Sequence, residues 1–175
     1  FIGSHLVEKL LKKNKKVIVI DNLSTGRFEN IKKFKSQIKF IKDDISKKGR
    51  WQKIITKNCC IFHLAALADI VPSIKFPQKY FEANVKGTLN LLEACKDKKI
   101  KKIVYAASSS CYGIPKKYPT SENELLSPQY PYALTKKLGE DIVMHWSKIY
   151  KIPSVSLRLF NVYGTRSRTS GTYGA

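Results

Sequence analysis

The sequence lacks the features that mark membrane-spanning and secreted proteins. No apolar run approaches the roughly 18 residues that a transmembrane helix needs. The chain begins at Phe1 without Met or a basic-then-apolar leader, and it ends in a Ser/Thr/Gly/Arg stretch that closes no element. We therefore expect an internal piece of a longer protein. Its 175 residues suffice for one domain with a core and are few for two.

Cysteine is scarce and shows no spacing that would indicate a metal site or a disulfide framework. Cys59 and Cys60 open an apolar run, and Cys95 falls in a helical pattern. These positions predict small buried side chains in a reducing compartment. The sequence thus predicts no metal and a cytoplasmic location.

Acidic residues are also few, with 13 against 33 Lys and Arg, which gives a formal net charge of +20. Most of the basic residues are lysines in short scattered runs, and no basic stripe alternates with stacking aromatics. This pattern indicates a solvated lysine-rich surface that at most attracts an anionic substrate. A basic nucleic-acid binder is the alternative, and it would be retained on DNA in a salt-dependent way.

Apolar periodicity divides the chain into alternating helices and strands. The predicted helices span 4–13, 77–98 and 132–150, and the predicted strands span 17–20, 38–41, 60–64, 103–107 and 155–159. Such alternation predicts an α/β fold, a Rossmann-type doubly wound parallel sheet with helices on both faces. Because ligands of these folds bind at the carboxyl ends of the strands, functional residues should follow the strands directly.

The first candidate site lies in the N-terminal βαβ pattern. Gly3 opens a predicted helix, where backbone amides can reach a pyrophosphate, although a single glycine also fits an ordinary helix start. Asp21 follows 18 residues later at a predicted strand end. A carboxylate there accepts hydrogen bonds from ribose hydroxyls and repels a 2′-phosphate, which favours NAD over NADP.

The second candidate site combines a strand end with a helix. Tyr132 and Lys136 are four residues apart, so they share one helix face, and a nearby ammonium should lower the pKa of the phenol. Ser108 follows the predicted strand 103–107, where its hydroxyl could share a sugar oxygen with Tyr132. Each feature alone also fits a serine-rich turn or a chance helical pair, but their order and spacing agree.

The chain resembles, over nearly its whole length, the extended short-chain dehydrogenase/reductases, and within them the NAD-dependent nucleotide-sugar epimerases and dehydratases. The resemblance rests on motifs distributed along the chain, namely Phe1-Ile2-Gly3, the stretch 17–26, Asp44-Ile45, His63-Leu64-Ala65-Ala66, Asn84, the Ser108, Tyr132 and Lys136 set, and the stretch 158–164. It implies that residues 1–175 are an NAD-binding Rossmann domain, incomplete at both ends, with a substrate domain beyond residue 175.

The resemblance also assigns roles to individual residues. It implies a catalytic triad of Ser108, Tyr132 and Lys136, and substrate contacts from Ser108, Tyr132 and Asn161. It further implies a set of NAD-binding residues. These are Phe1, Ile2, Gly3, Asp21, Asn22, Leu23, Ser24, Thr25, Gly26, Asp44, Ile45, Leu64, Ala65, Ala66, Asn84, Tyr132, Lys136 and Phe160.

Within the family, the residues after Ser108 favour one reaction over another. The dehydratases and decarboxylases usually have Thr at this position and Glu two residues later, whereas this chain has Ser109 and Ser110. The run resembles that of the UDP-glucose 4-epimerases, which implies a UDP-sugar substrate, a transient 4-keto sugar and a homodimer. Leu159 and Thr165 depart from the usual Tyr and Pro, so glucose, N-acetylglucosamine and glucuronate all stay open as the sugar.

Two alternatives stay open at this point. A 4,6-dehydratase or decarboxylase of the same family would also use an NAD-binding domain of this kind. A non-catalytic NAD-binding protein would be expected to lack Tyr132 or Lys136, and this chain has both.

Overall fold

The computed structural model describes residues 1–167, in which the chain forms two compact units. The first unit contains residues 1–44 and the segment from Asn161 onward, and the second contains Ile45–Phe160. The helices are α1 (Ile2–Lys12), α2 (Ile70–Lys75), α3 (Pro77–Tyr80), α4 (Gly87–Cys95) and α5 (Pro131–Ile149). The strands are β1 (Val17–Asp21), β2 (Ile38–Lys42), β3 (Cys60–His63), β4 (Lys102–Ser108) and β5 (Ser154–Leu159).

The first unit is built on a parallel pair of strands and one helix. β1 and β2 pair from Val17 opposite Ile38 to Asp21 opposite Lys42. A β-branched run makes β1 a good strand, and Val7 and Val17 are buried. Because both strands run in the same direction, Asp21 stands at the carboxyl edge of this sheet.

The second unit contains a parallel sheet in the order β3-β4-β5. His63 pairs with Tyr105, and Ser108 pairs with Leu159, so the carboxyl ends of these strands share one edge. α5 packs against β4 and β5, and Val143 is fully buried on it. The predicted Rossmann-type α/β class is confirmed.

The predicted helix 77–98 contains a segment that periodicity does not reveal. Between α3 and α4, Phe81–Lys86 form a π-helical turn that includes the buried Asn84. The Thr88 hydroxyl donates a 2.5 Å hydrogen bond to the Asn84 carbonyl and so competes for that acceptor within the helix. π turns of this kind are frequent at functional sites.

The predicted burial of the cysteines holds for Cys95, which is fully buried, but not for Cys60, which is exposed. Cys60 is the first residue of β3 and lies opposite Lys102, at an end of the strand rather than in the core. All four thiols are free. Within residues 1–167, no helix has the length and apolar character required to cross a bilayer.

Candidate functional site

The carboxyl end of β4 presents a hydrogen-bonded pair of serines. Ser108 is 9% exposed and caps the 3₁₀ helix Ser109–Tyr112, its Oγ accepting from the Ser110 N–H at 3.2 Å. The Oγ atoms of Ser108 and Ser110 lie 2.7 Å apart. The Ser110 side chain therefore presents a hydroxyl to Ser108, and this position has no carboxylate.

The first turn of α5 brings Tyr132 to Ser108. Burial raises the pKa of Tyr132 above its usual value, and a hydrogen bond from the Ser108 side chain partly offsets this rise. The direction is opposite to the sequence-based prediction that Lys136 would lower this pKa. The reason is that desolvation of the phenol outweighs the other influences on it.

Lys136 lies one turn further along α5 and is only 4% exposed. Its Nζ stands 4.5 Å from the centre of the Tyr105 ring, and the Tyr105 hydroxyl donates to the Lys136 carbonyl at 3.3 Å. Burial lowers the pKa of Lys136 to about 8, so its side chain is charged at pH 7 and loses its charge at moderately alkaline pH. The structure thus places the lysine on an aromatic floor.

Gly139 makes room for this floor. A Cβ atom at residue 139 would lie 2.2 Å from the Tyr105 hydroxyl oxygen, so only glycine fits at this point of α5. Nearby, His63 is buried and its Nε2 lies 2.8 Å from the Thr88 hydroxyl. Burial lowers the pKa of His63 to about 3, which leaves its ring neutral at pH 7.

The Asn84 side chain is buried and forms hydrogen bonds that connect neighbouring segments of the protein. Its side-chain amide donates to the Leu67 carbonyl at 3.0 Å and to the Thr135 hydroxyl at 2.9 Å, and its oxygen accepts from the Leu67 N–H at 2.7 Å. Both amide hydrogens are therefore used within the protein. Asn84 fixes the loop after β3 to α5, and its predicted contact with NAD stays a prediction.

A partly buried ion pair between Glu140 and Arg158 supports the other end of this region. Glu140 is 7% exposed and receives two donors of Arg158, Nη2 at 2.6 Å and Nε at 3.1 Å. Arg158 also donates to the Tyr112 hydroxyl at 3.0 Å, and the Tyr112 ring stacks on Phe160. Phe160 is itself 60% exposed, so one face of its ring is available to a ligand.

The remaining predicted positions of the second unit differ in exposure. Leu64 and Ala66 are half-buried and Ala65 is exposed, in the irregular segment directly after β3. Ile45 packs its side chain against Gly87, where a Cβ would approach to 3.2 Å, and its carbonyl accepts from Asn90. Residues 64–66 directly follow the carboxyl end of β3, and the predicted NAD contacts of these residues and of Ile45 stay predictions.

In the first unit, the loop after β1 folds around the Asp21 carboxylate. Asp21 Oδ1 accepts the Leu23 N–H at 2.7 Å, and Leu23 adopts a left-handed conformation with φ 59°. A Cβ at Gly26 would lie 2.9 Å from Asp21 Oδ2, so the loop passes too close for a side chain. Ser24 and Thr25, which complete this loop, are exposed.

These features fit the adenosine half of a dinucleotide. Asp21 has no ion pair among residues 1–167, so its carboxylate has lone pairs left for ribose hydroxyls. The first turn of α1 contains Gly3 and no acidic residue, which suits a phosphate group. Phe1 stands at its N-cap, Ile2 begins the helix, and the Asn22 side chain donates to Asp44 Oδ2 at 3.2 Å.

Arg166 makes long-range contacts that the sequence does not predict. It forms an ion pair with Glu8 and donates to the Ser4 carbonyl at 3.1 Å, while Asn30 donates to the Arg166 carbonyl. The hydrogen bond from Arg166 is the main cause that lowers the pKa of Glu8 to about 2. Arg166 thereby attaches the segment that begins with the exposed Asn161 to α1.

Within residues 1–167, no group of three His, Cys, Asp or Glu side chains is placed to hold a metal.

Curated proteins similar to this chain include UDP-sugar 4-epimerases. A putative UDP-glucose 4-epimerase of Methanocaldococcus jannaschii is 38% identical over 99% of this chain and 57% of its own length. The UDP-glucose 4-epimerase of Lactobacillus helveticus is 38% identical over 95% of this chain and 50% of its own. The chain thus spans about half the length of the curated relatives it matches.

Solved structures agree with this result. A UDP-N-acetylglucosamine 4-epimerase from Methanobrevibacter ruminantium, in complex with UDP-N-acetylmuramic acid, superposes with a TM-score of 0.93 at 37% identity. The alignment covers all of this chain and 56% of that one. The UDP-glucose 4-epimerase of Thermus thermophilus in complex with NAD gives a TM-score of 0.91 at 35% identity, over 99% of this chain and 56% of that one.

The family model described as GDP-mannose 4,6 dehydratase matches residues 1–173. With this match and the epimerase relatives, the chain belongs to that family of nucleotide-sugar epimerases and dehydratases of the short-chain dehydrogenase/reductase type.

Proposed function

We propose that the intact protein is an NAD-dependent nucleotide-sugar 4-epimerase, which inverts C4 of a UDP-sugar through a transient 4-keto sugar. The observation that carries the proposal is the arrangement at the carboxyl end of β4. Ser108 hydrogen-bonds the Tyr132 phenol, and Ser110 supplies a hydroxyl where an eliminating enzyme would need an acid. Relatives that align with nearly the whole chain carry epimerase names.

Tyr132 acts in this proposal as the proton acceptor for the sugar 4-OH. Its phenol is partly buried and meets the Ser108 hydroxyl, which hydrogen-bonds the same reacting oxygen. Because burial raises its pKa, Tyr132 needs positive charge nearby in order to ionise. Lys136, on the same face of α5, provides one such charge and binds the nicotinamide ribose.

NAD, when bound, supplies the hydride acceptor for C4 of the sugar and a positively charged ring. In the second unit, the residues that we expect to bind NAD are Lys136, Tyr132, Phe160 and the irregular segment 64–66. In the first unit they are Asp21, with the rest of the loop 21–26, Asp44 and the N-terminal turn of α1. Asn161 binds the nucleotide sugar. Residues 1–175 are then the NAD-binding part of the enzyme.

The partners and location follow from the same proposal. The diphosphate group of a UDP-sugar is anionic, and the protein's net charge of +20 favours the approach of such a substrate. We also propose a homodimer, and a cytoplasmic location in which the free thiols of the chain stay reduced. Gel filtration with light scattering would test the dimer directly.

The substitution Tyr132→Phe tests the catalytic assignment. It removes the phenolic oxygen and leaves the ring that packs edge-on against Tyr80. In the intact enzyme, epimerase turnover should fall by about three orders of magnitude, in the range seen when a general acid–base group is lost. NAD affinity, measured by calorimetry, should change little. Turnover within a few-fold of the wild type would remove Tyr132 from the mechanism.

A further inference from the structure

Ser73 is a buried polar side chain outside the proposed catalytic set. It lies in the short helix α2 and has no exposed surface. Its Oγ donates to the Ile70 carbonyl at 2.6 Å and accepts a 3.1 Å hydrogen bond from the backbone N–H of Tyr132. The Ser73 hydroxyl therefore both donates to and accepts from backbone groups, and the N–H that it accepts from belongs to Tyr132, the proposed proton acceptor.

The N–H of Tyr132 needs such an acceptor. It lies in the first turn of α5, where N–H groups have no partner within the helix. The N-cap residue Tyr130 makes no side-chain capping bond, and Pro131 has no N–H to satisfy. Ser73, which is 59 residues away in the sequence, thus takes over the part that an N-cap side chain usually plays.

The other polar backbone atom of Tyr132 is also held by a buried hydroxyl. Thr135 Oγ1 donates to the Tyr132 carbonyl at 2.8 Å and accepts from the Asn84 side chain at 2.9 Å. The Tyr132 ring meets the Tyr80 ring edge-on, with centroids 6.4 Å apart. The Tyr80 hydroxyl is fixed in turn by the Ala68 carbonyl at 2.8 Å. Tyr132 is therefore restrained at its N–H, its carbonyl and its ring.

We propose that Ser73 is a positioning residue, whose hydroxyl fixes the backbone of Tyr132 so that the phenol stays aligned with Ser108 and the reacting sugar oxygen. The inference rests on the proposed function, because it takes Tyr132 to exchange a proton with the substrate. Proton transfer depends steeply on this alignment. A displacement of about 1 Å can cost roughly 100-fold in rate.

The first experiment is Ser73→Ala in the intact enzyme. We expect kcat to fall by roughly 10- to 100-fold while KM for the sugar changes less than about threefold, because the hydroxyl contacts no substrate. The acid limb of the kcat–pH profile should move to higher pH, since a misaligned Ser108 hydrogen bond no longer offsets the raised pKa of Tyr132. The control Ser147→Ala, on the same helix α5, should behave as the wild type. Wild-type kcat in Ser73→Ala would overturn the inference.

A double-mutant comparison separates positioning from a general loss of structure. In the Tyr132→Phe background the phenolic oxygen is gone, so Ser73→Ala should lower the residual turnover no further. An equal loss in both backgrounds would mean that Ser73 acts on the fold as a whole, and the inference would be wrong. If Tyr132→Phe stays active, the proposed function fails together with this inference. If Tyr132→Phe is inactive while Ser73→Ala is fully active, this inference alone fails.

Hydrogen exchange gives a second test that does not depend on activity. The Tyr132 amide of the intact wild-type enzyme should be protected from exchange, and Ser73→Ala should accelerate exchange there but not in the C-terminal half of α5. Fast exchange at the Tyr132 amide of the wild type would overturn the inference.

Discussion

Gly139→Ala probes the aromatic floor beneath Lys136. Tyr105, which forms this floor, is 1% exposed, so its ring has no room to withdraw. A Cβ at residue 139 would lie 2.2 Å from the Tyr105 hydroxyl oxygen and 2.9 Å from the ring carbon that bears it. These separations are far below van der Waals contact, so either Tyr105 or α5 must move.

The cost follows from three contributions. Overpacking a core typically costs about 1–3 kcal/mol. Displacing the Tyr105 hydroxyl from the Lys136 carbonyl breaks a buried hydrogen bond, at about 1 kcal/mol. Alanine regains about 1 kcal/mol over glycine in a helix. The free energy of unfolding should therefore fall by about 2 kcal/mol, and turnover should fall with it because Lys136 loses its support.

Urea unfolding of the intact protein measures this cost, and Tyr105→Phe supplies the matched control. Removing the hydroxyl abolishes the 2.2 Å contact and leaves the one at 2.9 Å. Gly139→Ala should thus cost at least about 1 kcal/mol less in the Tyr105→Phe background than in the wild type. A stabilised Gly139→Ala variant, as at an ordinary helical glycine, would show that Tyr105 does not restrict residue 139.

Two further predictions concern charge. Burial lowers the pKa of Lys136 from 10.5 to about 8, so protonating it costs the folded state up to about 3 kcal/mol below pH 8, and this cost disappears above pH 10.5. Lys136→Met should therefore raise the free energy of unfolding at pH 7 while abolishing turnover, and a destabilised variant at pH 7 would contradict this sign. Calorimetric titration should show NAD bound well ahead of NADP, and Asp21→Asn should narrow the difference because the charge that repels a 2′-phosphate is gone. Equal affinities in the wild type would contradict this role of Asp21.

The elements that could be predicted from the sequence are those with a local signal. A β-branched run predicts the strand that ends at Asp21, and helical periodicity predicts the long helix α5. Ser108 could be placed at the ligand-binding edge of the sheet because it follows a predicted strand, and the family motif assigned Tyr132 to the same site. Motif and topology were sufficient for this part of the site.

The support around these residues could not be predicted, because it depends on contacts between distant segments. α2, which carries Ser73, is only six residues long and includes Pro72, so it has no periodicity to detect. The fit of Gly139 against Tyr105 is visible only in three dimensions.

The sequence-based prediction for the pKa of Tyr132 was wrong for a related reason. The spacing of Tyr132 and Lys136 predicts that the charge of the lysine lowers the pKa of the phenol. Burial instead raises the pKa of Tyr132, and the spacing of two residues on a helix does not reveal how deeply they are buried.

Product analysis of the intact enzyme distinguishes 4-epimerisation from dehydration and decarboxylation. UDP-glucose, UDP-N-acetylglucosamine and UDP-glucuronate would be incubated with the enzyme and NAD, and the sugars followed by NMR. Because Ser109 and Ser110 offer no acid near pH 7, the reaction should stop at oxidation and re-reduction at C4. We expect the C4 epimer of at least one substrate, with no carbon dioxide released. A 4-keto-6-deoxy sugar as the main product would contradict the proposed 4-epimerase function.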